Sequence, residues 1–451
     1  MAEEIIIKDE YKIPELNLLE IDKNMEENCN IDKENIENFF ANYKVDVECK
    51  EVYKSLNSVT YVLDLKVKTK TVTIRGFKDD LLLYFGGDDI EFINAINGMP
   101  YYGICIRKNT NRILKLGNVI GSEEFQNNIK KIPLVLGRNV INTNIIEDLT
   151  KLPHLLIAGT VKTGKSSLLS SFIVEILYKL SPYKVRLVLI DTRKTNFMRF
   201  NGIPHLLIPT INEYVKAAGI LEWLVQEMSD RYKLFNGIDV DNIDNYNKVS
   251  DIKLPRIVVM IEDFSDLMRS EMKKEIERNI VMLSQMSRAA GIHLILSTQR
   301  PSVDVLTGVI KANIPSRIAF NVPAQVDSRT ILDDVGAEKL FIYGDILYKG
   351  LGSKPIRLQV PYVTDMEINR IVEWVKHNNN LTKESFGYTN KKNNYRENDT
   401  NIYADKENLD YNFEDNKYNT KYKDNESKRS FIIMLIFIMI VLGVIMYCLI
   451  T

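Results

Sequence analysis

The sequence predicts an α/β protein whose centre is a parallel sheet with helices on both faces. A smaller α/β domain precedes it, and a polar tether and an apolar end follow. Three observations predict this. Between residues 151 and 377, short uninterrupted apolar runs alternate with long helical periodicities, as strands buried on both faces and joined by crossovers require. A loop bracketed by Gly159 and Gly164 separates the first of these runs from the first long helix. A later run ends in adjacent carboxylates, Glu262 and Asp263.

In chain order, residues 1–30 are acidic and irregular around one apolar stretch, Tyr11 to Glu20, and read as an extended arm. Residues 31–150 read as a mixed α/β domain. Ile36, Phe39, Phe40 and Tyr43 share a helical face, whereas Val59 to Leu65 and Thr71 to Ile74 alternate as strands do. Within 151–377 the expected strands are 154–158, 185–191, 256–262, 292–298 and 316–321, and the expected helices are 165–180, 213–235 and 272–290. Because 185–191 comes between the first strand and the acidic one in the chain, an extra strand is expected between those two in the sheet.

Residues 378–430 lack proline and apolar periodicity. Over 381–430, ten Lys and Arg balance ten Asp and Glu, so the segment reads as a disordered polyampholyte tether. Phe431 to Ile450 is an uncharged apolar run, long enough as a helix to cross a hydrocarbon core of about 30 Å. Lys428 and Arg429 before it predict that the bulk of the chain faces the cytoplasm, with a single C-terminal transmembrane helix as anchor. The start of the chain shows no secretory signal pattern.

Bulk composition limits the function classes. A chain of 451 residues predicts two or three domains, and 45% hydrophobic with 26% charged residues excludes a wholly disordered or fibrous chain. The net charge of -1 means that a nucleic-acid partner would be held by local basic loops rather than by a global field. The four cysteines have no C-x-x-C spacing and the four histidines are scattered, which predicts structural roles and a reducing compartment.

The chemistry is concentrated in a few segments. Gly159-Thr160-Val161-Lys162-Thr163-Gly164-Lys165-Ser166, followed by Ser167, leaves a buried strand and opens a helix. This is a phosphate-binding loop. Its glycines let successive N–H groups converge on an anion, Lys165 reaches the outer phosphates of ATP, and Ser166 offers a hydroxyl to Mg²⁺. Arg256 to Ile261 followed by Glu262-Asp263 is a Walker B strand tip: Glu262 orients Mg²⁺ partly through water and Asp263 polarises the attacking water. The 292–298 strand ends at Gln299, a neutral amide where a γ-phosphate sensor would sit. Together these fit motor-type P-loop ATPases with a RecA-like sheet better than GTPases or kinases.

Longer strings now carry a resemblance. Leu152 to Gly159, Gly202 to Leu206, Glu227-Met228 with Arg231 to Leu234, Arg288 to Leu294, Thr298 to Val305, Lys311 to Phe320 and Asp327 to Leu332 resemble the FtsK/SpoIIIE family of DNA translocases. Residues 31–150 resemble that family's α domain and 151–377 its RecA-like motor domain. The resemblance implies a homo-oligomeric, hexameric ring that pumps double-stranded DNA using ATP and Mg²⁺, in chromosome segregation, cell division or sporulation. It also implies that Arg288 is an arginine finger donated to a neighbouring subunit, and that Thr298 and Arg300 contact DNA phosphates in a pore loop.

The chain departs from the family pattern in three places. The Walker B acids are Glu262 then Asp263 rather than the usual Asp then Glu, which shortens the reach of the base and predicts slow hydrolysis. Lys162 replaces the usual loop glycine, and Gln325 replaces the usual lysine of a second pore loop. The anchor is C-terminal, and residues 378–430 do not have the composition of the family's winged-helix DNA reader. Two other readings stand beside the DNA pump: a coupling ATPase serving conjugation or type VII secretion, and a membrane-tethered DNA-binding scaffold with weak ATPase.

Overall fold

In the computed structural model, residues 11–22, 32–66, 69–96, 99–108 and 112–379 are described. After the arm comes helix α1 (Asp32–Asn42), then strands β1 (Val47–Lys54) and β2 (Ser58–Leu65), helices α2 (Thr71–Gly76) and α3 (Lys78–Phe85), and strands β3 (Asp89–Asn94) and β4 (Tyr102–Arg107). The strands pair antiparallel in the order β1-β2-β4-β3, and Ile36, Phe39, Phe40, Ile74 and Leu81 from the three helices fill the small core beside them. Thr71 to Ile74, expected as a strand, forms α2 instead. In that stretch only Ile74 is buried and Val72 is 74% exposed, so a single inward side chain is satisfied by a helical turn as easily as by a strand.

The rest of the described chain contributes β5 (Leu114–Lys115), α4 (Leu116–Ile120), α5 (Glu123–Gln126), β6 (Pro133–Arg138), β7 (Asn144–Asp148), β8 (Leu155–Ala158), α6 (Lys165–Lys179), β9 (Val185–Ile190), α7 (Tyr214–Gly237) and α8 (Ile243–Val249). It continues with β10 (Arg256–Ile261), α9 (Phe264–Leu267), α10 (Lys273–Met286), β11 (Ile292–Thr298), α11 (Gly308–Asn313), β12 (Arg317–Ala319), α12 (Gln325–Leu332), β13 (Asp345–Lys349), β14 (Ile356–Gln359), β15 (Pro361–Tyr362) and α13 (Asp365–Asn378). Nine strands make one sheet in the order β7-β6-β14-β13-β12-β8-β11-β10-β9.

Three expectations are corrected here. The sheet is mixed, being parallel only from β12 to β9; from β12 to β7 each neighbour is antiparallel. The strand between β8 and the acidic β10 is β11, whereas 185–190 lies at the edge, because order along the chain does not fix order in a sheet built by crossovers. The sheet also runs across residue 150: β6 and β7 precede that point yet pair into it, so no boundary falls there among the described residues.

Period-two alternation distributes the parallel strands between two cores. Leu155, Ile157, Leu187, Leu189, Val258 and Met260 face α6 and α13, while Leu156, Val188, Ile190, Ile257, Val259 and Ile261 face α7 to α11. The arm lies on the α6 and α13 side. Tyr11 donates its hydroxyl to the Leu177 carbonyl at 2.8 Å and meets the His205 ring edge-on at 4.9 Å. Gly117 makes room for the arm, since a Cβ there would stand 2.3 Å from the Glu20 carbonyl oxygen. Lys12 and Asn379 join the two ends of the described body through N–H···O contacts of 2.6 and 3.1 Å.

No helix among the described residues is long and apolar enough to cross a membrane. Of the tether expected over 378–430, Asn378 ends α13 and Asn379 bonds Lys12, so these two belong to the folded body. Residues from 380 onward and the apolar segment 431–450 lie outside the described residues, as do residues 1–10 and 23–30 of the arm.

Candidate nucleotide site at the carboxyl edge of the parallel strands

Register brings the site together. Ala158 pairs with Thr298 and Ala319, Ile261 pairs with Leu296 and Ile190, and so the segments following β8, β10, β11 and β9 emerge at one edge of the sheet. In parallel sheets that edge is where ligands are held.

The loop after β8 is shaped by backbone constraints. Gly159 has φ +154, and a Cβ there would stand 2.6 Å from the Phe320 Cβ, so conformation and space both require glycine. Lys162 occupies a left-handed conformation with φ +64, which is why glycine suits this position; a side chain there costs about 1–2 kcal/mol. Thr160 anchors the loop through its N–H to the Asn321 carbonyl at 3.0 Å, and Thr163 bonds back to the Thr160 carbonyl at 2.8 Å. Val161 is 62% exposed, and Gly164 hands the chain to α6, which begins at Lys165.

Lys165 is only 5% exposed and donates its ammonium to the Thr160 carbonyl. Burial pulls its pKa down to about 8, although the Glu262 and Asp263 carboxylates push it back up. Ser166 donates its hydroxyl to Glu262 Oε1, which ties the first turn of α6 to the tip of β10. Glu262 has its pKa raised by burial, and the hydrogen bonds from Ser166 and Asn196 counter that rise. Ser167, also expected to bind nucleotide, has a buried hydroxyl without a partner in the structure, one residue beyond the loop.

Side chains alternate along an extended strand end, so the two acids diverge. Glu262 points to Ser166. Asp263 accepts from the Ser265 N–H at 3.2 Å and the Ser265 hydroxyl at 2.7 Å, capping α9, and its other oxygen meets the Arg193 guanidinium at 2.9 Å. Gln299 follows β11; its backbone N–H approaches Asp263 Oδ1 at 3.5 Å and its side-chain carbonyl accepts from Arg193 at 3.1 Å. Lys165, Ser166, Glu262, Asp263 and Gln299 are therefore gathered in one place.

The remaining expected site residues lie elsewhere. Arg288 is exposed past the end of α10, its Nε on the Thr150 carbonyl at 3.1 Å, away from the residues just described. Arg300 is exposed. Thr298 is fully buried, and its hydroxyl bonds the Arg300 backbone at 3.2 and 3.3 Å, so its expected contact with DNA is corrected: the hydroxyl braces the base of the loop and offers no surface to a phosphate. Gln325 begins α12 and is exposed. The family string around Arg231 is structural, since Arg231 is 1% exposed, pairs with Glu227 at 2.8 Å and bonds the Ala290 carbonyl at 2.9 Å.

Sequence reasoning missed the loop after β9. Asn196 donates to the Ser166 carbonyl at 3.0 Å and to Glu262 Oε2 at 3.2 Å, and accepts from Ser170 at 2.9 Å. Asp191 holds that loop by accepting from the Asn196 and Phe197 N–H groups at 2.8 and 3.0 Å. The available signal was the polar run Thr192 to Asn196 directly after an apolar strand, at the edge where a parallel sheet places its functional loops.

The residues have the chemistry of a polyphosphate and magnesium site. A cation and a glycine-shaped loop suit phosphate, and a hydroxyl beside a carboxylate suits a hard divalent ion. Comparison with known proteins places the arrangement in a lineage. Residues 115–303 match the model of the FtsK/SpoIIIE family. The chain is 42% identical over 345 residues to the DNA translocase FtsK of Caldanaerobacter subterraneus subsp. tengcongensis, covering 76% of this chain and 48% of that protein. It is 38% identical over 384 residues to the DNA translocase SpoIIIE of Bacillus subtilis, covering 81% and 48%. The chain thus spans about half the length of the curated relatives it matches. Among solved structures, the monomer form of the pCW3 conjugation coupling protein TcpA with ATPγS shares the fold, with TM-score 0.53 and 23% identity over 73% of this chain and 93% of that one. With its loop, acidic strand tip and terminal amide inside the matched region, the chain belongs to the FtsK/SpoIIIE family.

Proposed function

We propose that the protein is an ATP-driven translocase of double-stranded DNA. The observation that carries this reading is the bond from Ser166 to Glu262, which joins the phosphate loop to the acidic strand tip across the width of β11, in a chain whose relatives are named DNA translocases. The N–H groups of 159–166 and the Lys165 ammonium hold the ATP phosphates, and Ser166 and Glu262 hold Mg²⁺ partly through water. Bound magnesium neutralises the charge that develops on the phosphates. Asp263 orients and polarises the attacking water, and Gln299 hydrogen-bonds near the terminal phosphate.

The chain works as a ring, a hexamer, in which the exposed Arg288 reaches a neighbour's nucleotide and the exposed Arg300 grips the duplex by its backbone, without reading sequence. The apolar segment 431–450 anchors the protein in a membrane with its bulk in the cytoplasm, and residues 380–430 serve as the tether between them. Chromosome segregation, division and sporulation are the processes that need such a pump.

The test is ATP turnover by the full chain with and without duplex DNA, alongside Lys165→Ala. A DNA pump hydrolyses ATP faster with DNA, and Lys165→Ala abolishes turnover. Turnover indifferent to DNA turns the reading to a protein-secretion motor, and none under either condition turns it to a DNA-binding scaffold.

A further inference from the structure

At the sheet edge Arg193 touches both Asp263 and Gln299, the residues given the attacking water and the terminal phosphate, and neither the resemblance nor the relatives' names give it a role. It lies three residues after β9, the edge strand. Its guanidinium crosses the tip of β10 to meet Asp263 Oδ2 at 2.9 Å, and reaches the tip of β11 to donate to Gln299 Oε1 at 3.1 Å. It therefore ties together three adjacent strand tips.

Arg193 is itself held. Asp266 stands 3.8 Å from the guanidinium, and Asp266 Oδ2 accepts from the Thr192 hydroxyl at 2.7 Å and the Tyr214 hydroxyl at 3.0 Å. Asp263 has a 2%-exposed side chain whose Oδ1 is committed to Ser265, while its Oδ2 accepts no hydrogen bond and faces Arg193 as an ion pair at 2.9 Å. A planar fork with several donors can hold a carboxylate and an amide at once; an ammonium presents no such fixed geometry.

We infer that Arg193 is a positioning residue that orients Asp263 and Gln299 as one unit, so that the group acting on water and the group sensing phosphate move together. The inference rests on the ATPase reading of the site. It addresses the short reach of Asp263: a carboxylate one methylene shorter than the family's usual Glu gains from being fixed rather than from swinging.

The experiment measures kcat and KM for ATP with duplex DNA present, together with the thermal midpoint, for the full chain and for Arg193→Met, Arg193→Lys, Gln299→Ala and the double variant Arg193→Met with Gln299→Ala. The expected result for Arg193→Met is a loss of about thirtyfold or more in kcat with KM changed by less than about threefold. Arg193→Lys recovers part of the loss through its pair with Asp263. Adding Arg193→Met to Gln299→Ala costs less than about threefold more, because the two act as one unit. The inference is overturned if Arg193→Met keeps kcat within about threefold of the wild type, or if the double loss equals the product of the single losses. It is also overturned if both Arg193 variants lose kcat only in step with a fallen thermal midpoint. Should the wild type turn over no ATP at all, the ATPase reading fails and this inference with it, so the two failures are told apart.

Discussion

Lys165 carries its charge against the tendency of its surroundings. Burial lowers its pKa to about 8 from an ordinary 10.5, so the folded chain holds fewer protons there than the unfolded chain between those values, and stability rises with pH across that window. Phosphate binding has the opposite sign, since an anion favours the ammonium. Affinity for an ATP analogue is therefore full below pH 8 and falls as pH rises through it, approaching about tenfold per unit, and a fluorescence titration from pH 7 to 9.5 will show the bend. A flat profile would mean that the lysine does not meet the phosphates.

Asp263 shows a second compromise at this scale. As the cap of α9 it uses Ser265, which a longer side chain would misplace. Asp263→Glu is expected to raise turnover by restoring reach, and to lower stability by about 1 kcal/mol through loss of the cap. Kinetics and chemical denaturation read the two effects separately. The order Glu262 then Asp263 was legible in the sequence, and so was the divergence of the acids, because side chains alternate. The Ser265 cap is a local contact two residues on, but the pairing with Arg193 was not legible, since Arg193 reaches Asp263 only when β9 lies beside β10.

Among the elements, the parallel strands and their helices stand within about two residues of where the sequence put them, except that the helix expected to reach 290 ends at Met286. Long apolar runs and 3.6-residue periodicity are strong signals for an element and weaker ones for its end. Short segments were not legible. Thr71 to Ile74 has too few residues to separate period two from a helical turn, and the antiparallel strands β13 and β14 carry little apolar pattern, with Ile356 42% exposed. The phosphate loop was legible as a motif, but its dependence on β12 was not, as Phe320 meets Gly159 only through strand pairing. That dependence makes a prediction: Gly159→Ala is expected to destabilise the protein by about 2 kcal/mol or more and to remove ATP binding, measured by urea unfolding and by analogue titration.

Over the whole molecule, the sequence divided the chain at residue 150 because the character of its pattern changes there. The sheet ignores that change, for hydrogen bonding between β14 and β6 is a long-range choice that local periodicity does not encode. The arm shows the same limit. Tyr11 to Glu20 reads as an isolated apolar patch, and its seat against His205, α6 and α13 appears only in three dimensions. Gly117→Ala is expected to unseat it, since the added carbon would collide with the Glu20 carbonyl. Limited proteolysis should then cut near residues 11–22 faster than in the wild type, with turnover at the distant phosphate loop little altered.

The joined ends at Lys12 and Asn379 have a mechanical consequence. A force delivered at either terminus of the folded body meets bonds to the other, so it strains the arm and the last helix as a pair instead of unzipping one of them from its tip. A motor hauling a polymer while held by one end would keep its sheet intact under load for this reason, and pulling single molecules by residue 379 should register a higher rupture force than pulling the same molecules with Asn379 replaced by alanine.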